Sequence, residues 1–284
     1  MSTLTVAKQD FKSASRSRAL WAAATMFALL AVLIGYGSQG YRLTAMENVQ
    51  NTFRSLGMVL SILLPIIALV ASYMSIAGER ESGGIKFLLS FPNTRRDVFL
   101  GKLISRLAIV SVGLVFVFVT AVSIAVARHG ALPLQMVLGL FVITLLYGWV
   151  FVAVAVALSS AVGARSRAIG AAIGSYFVLV ILYLVPTISI AGIVRMVHHT
   201  MLGIDKNPDL YDAVTYTSPY TAFQKAQNLV FPEDLQREVF RRGGEEATSL
   251  PAYLSDEFSL VVFAIWLVVP LVIGYLRFEQ SDLE

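Results

Sequence analysis

Residues 78–106 read GERESGGIKFLLSFPNTRRDVFLGKLISR and carry nine charges. On either side the chain is apolar almost without interruption. A charged stretch in that setting reads as a solvated loop between two membrane-crossing helices, and the rest of the sequence can be ordered around it.

The 284 residues are 57% hydrophobic and 14% charged, with a mean hydropathy of +0.73. Those values belong to a membrane protein rather than a soluble domain. No cysteine is present, which excludes disulfides and thiolate metal sites. The net charge of +4 points to no nucleic acid partner, because basic residues in such a chain mark the cytoplasmic ends of spans.

Crossing ~30 Å of hydrocarbon at ~1.5 Å per residue takes roughly 20 apolar residues. Six segments meet that need: Ala19–Tyr36, Gly57–Ala77, Ile104–Ala127, Leu134–Ser159, Ile169–Ile190 and Leu260–Leu276. The first follows Lys8, Lys12, Arg16 and Arg18 as a signal peptide would. It is long for one, and GYGSQG offers no clear cleavage site, so it reads as a retained span. Six spans put both termini on one side. That side holds 13 of the 22 basic residues and is expected to be cytoplasmic in a multi-pass cell-membrane protein. The long segment 191–257 is then external.

Within the opening stretch, Gly83 and Gly84 break the end of span two, IKFLLSF reads as a short helix with an apolar face, and Pro92 ends it. Thr94 with Asp97 at the third helical position forms a capping box that starts the next helix. Phe87, Leu88 and Leu89 have the shape of a knob for a partner's groove. They would serve equally as an anchor in the headgroup layer.

The order of Glu79, Glu81, Gly83, Leu88, Leu89, Ser90, Pro92, Arg95, Gly101 and Lys102 resembles the cytoplasmic loop of type-2 ATP-binding-cassette transporter permeases. With six spans and a large external segment before the last, it is most similar to the branch containing the permease associated with nitrous oxide reductase maturation. The resemblance implies a coupling helix on a cytoplasmic ATPase subunit. Ile85, Lys86, Phe87, Leu88, Leu89, Ser90 and Phe91 would insert into that subunit. Glu79, Arg80 and Glu81 would relay its motion to span two, and Arg95, Arg96 and Lys102 would anchor span three. Gly84 stands where the family has a hydroxyl or bulky residue, which implies a more flexible link.

The chain has no phosphate loop, since its only Gly-Lys pair, Gly101–Lys102, lacks the glycine and hydroxyl that the motif needs around it. No H-E-x-x-H or G-x-S-x-G occurs. The expectation is therefore no enzyme and no cofactor on this chain, with ATP and Mg on the partner subunit. Few acidic residues or lysines fall inside the spans, which disfavours a secondary carrier.

Residues 1–18 alternate apolar and basic positions as an amphipathic helix on membrane lipid does, matching the family's elbow helix. In span five, Gly170 and Gly174 offer a face for close helix packing, more in keeping with packing inside one subunit than between two. In the external segment, SPYTAFQKAQNLVF and PEDLQREVFRR read as capped helices over the outer mouth. Met196, His198, His199 and Met201 are copper-type donors. Helical spacing spreads them over different faces, so an interface helix with incidental histidines is the plainer reading.

The expected fold is an all-α polytopic membrane protein. It comprises the elbow helix (1–18), spans one to five (19–190) with coupling loop 78–103, the helical external segment (191–257), and span six with a cytoplasmic tail (258–284). The expected function is the permease of an ATP-driven exporter, a homodimer with two ATPase subunits. The rival is a non-transporting membrane scaffold that recruits a cytoplasmic enzyme.

Overall fold

The computed structural model describes residues 3–14, 16, 25, 29–30, 32–37, 43–85, 94–184, 189–237, 239 and 251–280. Among them the ordered elements are all helical. In chain order they are α1 (Thr3–Ala14), α2 (Ala45–Ser72), α3 (Ala77–Glu81), α4 (Arg95–His129), α5 (Leu134–Ala161), α6 (Arg165–Tyr176), α7 (Ile190–Arg195), α8 (Pro208–Tyr216), α9 (Pro219–Gln227) and α10 (Phe258–Gln280). α6 continues through a π-turn at Phe177–Ile181 to Leu184, and α7 through another at Met196–Met201.

Five helical stretches among the described residues are long and apolar enough to cross a membrane: Ala45–Glu81, Arg95–His129, Leu134–Ala161, Arg165–Leu184 and Phe258–Gln280. They coincide with expected spans two to six. Most of the expected first span lies outside the described residues, although 32–37 are helical and Arg128 covers the Tyr36 ring at 4.1 Å. Span two begins twelve residues before the expected Gly57. Thr44 caps α2 with Glu47 in a capping box, so the helix starts on a polar turn that hydropathy alone does not register.

α5 is apolar all round, as a central helix must be, and α2, α4 and α10 pack around it. Gly274 lets α10 approach closely, for a Cβ there would lie 2.6 Å from the Ala157 Cα. Ser160 Oγ then donates to the Gly274 carbonyl at 2.8 Å. α2 contains Pro65, which cannot donate to the carbonyl of Ser61 four residues earlier. The Tyr147 hydroxyl of α5 donates to that carbonyl instead, at 2.7 Å.

The external segment departs from expectation. α9 forms as read, with Ser218 as its cap and Pro219 in its first turn, yet it does not lie over the mouth. All of its residues except Tyr220 are buried, and the Phe223 ring stacks on Tyr147 at 4.2 Å and 9°. Of the second expected helix, the described residues form a single 3-10 turn, Glu233–Leu235. The Arg237 backbone is held by the Asn228 side chain through two hydrogen bonds of 2.9 and 3.0 Å, which takes the groups a helix would need. Residues 238 and 240–250 lie outside the described set.

Candidate functional site

α3 follows α2 after a break at residues 73–76. The Ile76 and Ala77 amides at the start of α3 would have no helical acceptor. Ser159 Oγ of α5 accepts from both at 3.0 Å, fixing α3 to the central helix. Three consecutive α3 residues then reach three different helices. Glu79 Oε1 meets Lys102 Nζ of α4 at 2.8 Å. The Arg80 guanidinium lies 5.5 Å from the centre of the Phe278 ring on α10. Glu81 Oε2 accepts from the Arg165 amide in the first turn of α6, where a carboxylate satisfies a free donor and the helix dipole together.

Gly83 ends the turn with φ of +73°, a conformation that disfavours any side chain. Gly84 has a packing role that its small size does not suggest. A Cβ there would meet the Glu79 carboxylate, so the departure from the family pattern leaves room for the Glu79–Lys102 pair. Ile85 is buried in the core. Lys86, Phe87, Leu88, Leu89, Ser90, Phe91 and Pro92, which make up most of the expected coupling helix, lie outside the described residues.

The start of α4 carries the expected Thr94–Asp97 capping box. Arg95 Nη1 donates to the Phe278 and Glu279 carbonyls at 2.9 and 2.8 Å, a cation at the C-terminal end of α10. Arg96 is exposed. Gly101 is the seat of α1, since a Cβ there would be 2.8 Å from Val6 and 3.0 Å from the Thr3 carbonyl. Thr3 Oγ1 also donates to Asp97 at 2.6 Å.

Lys102 is 5% exposed and sits at the centre of a buried ion cluster. Besides Glu79 it bonds Asp10 Oδ1 of α1 at 2.6 Å. Asp10 also pairs with Arg106 Nη2 at 3.1 Å, and Arg106 Nη1 donates to the Ala71 carbonyl at 3.0 Å. Two carboxylates and two cations balance, as burial requires. Sequence reasoning missed Asp10 and Arg106. The available signal was that Asp10 is the only acidic residue among the first 18, a residue out of place on a helix that merely lies on anionic lipid.

Other expected residues are not brought together. Among the described residues, a Cβ on Gly170 or Gly174 would meet no atom within 4 Å, so neither glycine makes the expected packing contact there. His198 Nδ1 pairs with the Tyr211 hydroxyl at 3.0 Å, and His199 Nδ1 with the Ile204 carbonyl at 3.0 Å. Met196 and Met201 are exposed. The four donors do not converge.

The family model described as "ABC-2 family transporter protein" matches residues 4–283. Among curated proteins, the chain is 33% identical over 184 residues to "Probable ABC transporter permease protein NosY" of Stutzerimonas stutzeri, covering 63% of this chain and 66% of the relative. The protein of the same name from Pseudomonas aeruginosa matches at 33% identity over 184 residues, covering 63% of this chain and 67% of the relative.

Proposed function

The chain belongs to the ABC-2 transporter family, and on that premise we propose that it is the membrane permease subunit of an ATP-driven exporter. Two such permeases pair and work with two cytoplasmic ATPase subunits. ATP and Mg are held by those subunits. Both termini and the 78–103 loop face the cytoplasm, in keeping with the excess of basic residues there.

The observation that carries this reading is the fan of contacts from α3. Glu79, Arg80 and Glu81 tie the base of the loop to α4, α10 and α6. A force applied to the loop would therefore reach three spans at once. A tether for a scaffold would need no such distribution, whereas a lever for transport does. Closure of the ATPase pair would move the docked residues 86–91, and α3 would pass the movement into the bundle, while Ile85, buried in the chain's own core, is not free to insert into the partner. Asp10 brings the elbow helix α1 into the same cluster through Lys102 and Arg106.

The test separates docking from relay. Phe87→Ala with Leu88→Ala should leave the protein inserted and folded but reduce co-purification of the ATPase or its substrate-stimulated turnover, because losing a packed interface anchor costs on the order of 2 kcal/mol. Charge reversal at Glu79 and Glu81 should preserve ATPase association and uncouple hydrolysis from transport. Normal association and normal transport in both sets would remove the coupling assignment.

A further inference from the structure

At the end of the bundle opposite Lys102, α2 presents Arg54, Gly57 and Ser61 along one stripe, spaced by three and four residues. α9 lies against that stripe. Gln224 Nε2 is 3.5 Å from Ser61 Oγ, and a Cβ on Gly57 would meet Gln227 Oε1. Gln224 Oε1 in turn accepts from Arg237 Nη1 at 2.5 Å, while Asn228 grips the Arg237 backbone. The Arg237 guanidinium is thereby folded back over α9 toward the stripe that carries Arg54. Burial, and then the neighbouring Arg54 cation, hold its pKa below the usual guanidinium range. A guanidinium nonetheless stays charged at physiological pH.

Among the described residues, these two cations are not neutralised as the ones around Lys102 are. Asp256 is paired with Lys225 at 2.5 Å. Among the described residues, Arg54 has no hydrogen bond or ion pair, and the Arg237 side chain bonds a neutral amide. Partly buried like charges without a counter-charge are unfavourable. Gln227 adds a second irregularity. It is 2% exposed, its Oε1 has no hydrogen-bond partner, and its Nε2 makes long contacts of 3.3 and 3.5 Å. Its amide is weakly held and can turn to offer a donor beside the two arginines.

We propose that Arg54, Arg237 and Gln227 form a binding site for an oxyanion group, phosphate-like in charge and shape, carried by a free ion or by a lipid headgroup. The site is separate from the α3 cluster and stands independently of the transport reading. Guanidinium forks suit such a group because they offer paired, directional donors.

The test uses the purified full chain in neutral detergent, as wild type, Arg54→Gln and Arg237→Gln. Inorganic phosphate is titrated against chloride at equal ionic strength, and a short-chain phosphatidylglycerol against the matching phosphatidylcholine, with the thermal unfolding midpoint as readout. Phosphate or phosphatidylglycerol should raise the wild-type midpoint, and the apparent affinity should fall roughly tenfold or more in Arg54→Gln, as for loss of a charged hydrogen bond. Arg54→Gln is the decisive variant because it breaks no bond to a described residue. A response to phosphate identifies a free ion, and a response to phosphatidylglycerol alone identifies a headgroup. No wild-type response beyond chloride and phosphatidylcholine, or an undiminished response in Arg54→Gln, overturns the site.

Discussion

Replacing Asp10 by Asn tests whether the buried cluster holds α1 in place. The Asp10 and Lys102 side chains are 7% and 6% exposed, so water cannot take over for a lost partner. Removing one member of a buried pair typically costs about 3–5 kcal/mol. Here Lys102 keeps Glu79 at 2.8 Å, itself 33% exposed, and Arg106 keeps the Ala71 carbonyl. The expected loss is therefore about 2–3 kcal/mol, at or below the lower end of that range. Lys102→Met strands Asp10 and Glu79 with Arg106 and should cost at least as much. In Asp10→Asn with Lys102→Met the charges again balance, so the double variant should be less destabilised than the sum by about 1.5 kcal/mol or more. Unfolding in mixed micelles of rising dodecyl sulfate content measures all four proteins under one condition. Additivity within about 0.5 kcal/mol would refute the coupling of α1 to α4 through this pair.

Tyr147→Phe keeps the ring on Phe223 but removes the donor to the Ser61 carbonyl that Pro65 leaves free, and should cost about 1–2 kcal/mol in the same assay; an unchanged transition would mean that the carbonyl is satisfied otherwise. Glu81→Gln weakens the acceptor at the start of α6, and the amides of residues 165–168 should exchange with deuterium faster while those of α5 do not. Equal protection in both proteins would remove Glu81 as the cap.

What the sequence revealed divides by range. The Thr94–Asp97 capping box and the Ser218–Pro219 helix start were legible because each is decided within a few residues. Spans two to six were legible because apolar length is a local property. Asp10 was not, because its partners lie 92 and 96 positions away. The burial of α9 was hidden for a related reason. Gln224 and Lys225 look like a solvated face, and Ser61, Asp256 and Arg237, brought in by other elements, pair with them inside. The glycines erred in the opposite direction. Gly170 and Gly174 have the spacing of a packing face and meet no described residue, whereas Gly101, read only as part of the loop motif, has α1 resting on it.

The placement of α3 decides how movement of the loop would spread. A helix of five residues has little stability of its own, so its position depends on what it touches. Its amides are held by Ser159 of α5, its side chains by α4, α6 and α10, and its C-terminal end opens at Gly83. Displacing it must either break the Ser159 bonds or carry α5 along, and α5 is the most buried of the candidate spans. Breaking the bonds is the smaller disturbance. α3 would then swing about residues 73–76, drawing on α4 through Glu79 and on α6 through Glu81. Among the described residues, α6 is only sparsely covered and its glycine face is open. It is the element freest to follow, so a pull on the loop should emerge mainly as movement of α6 against α5.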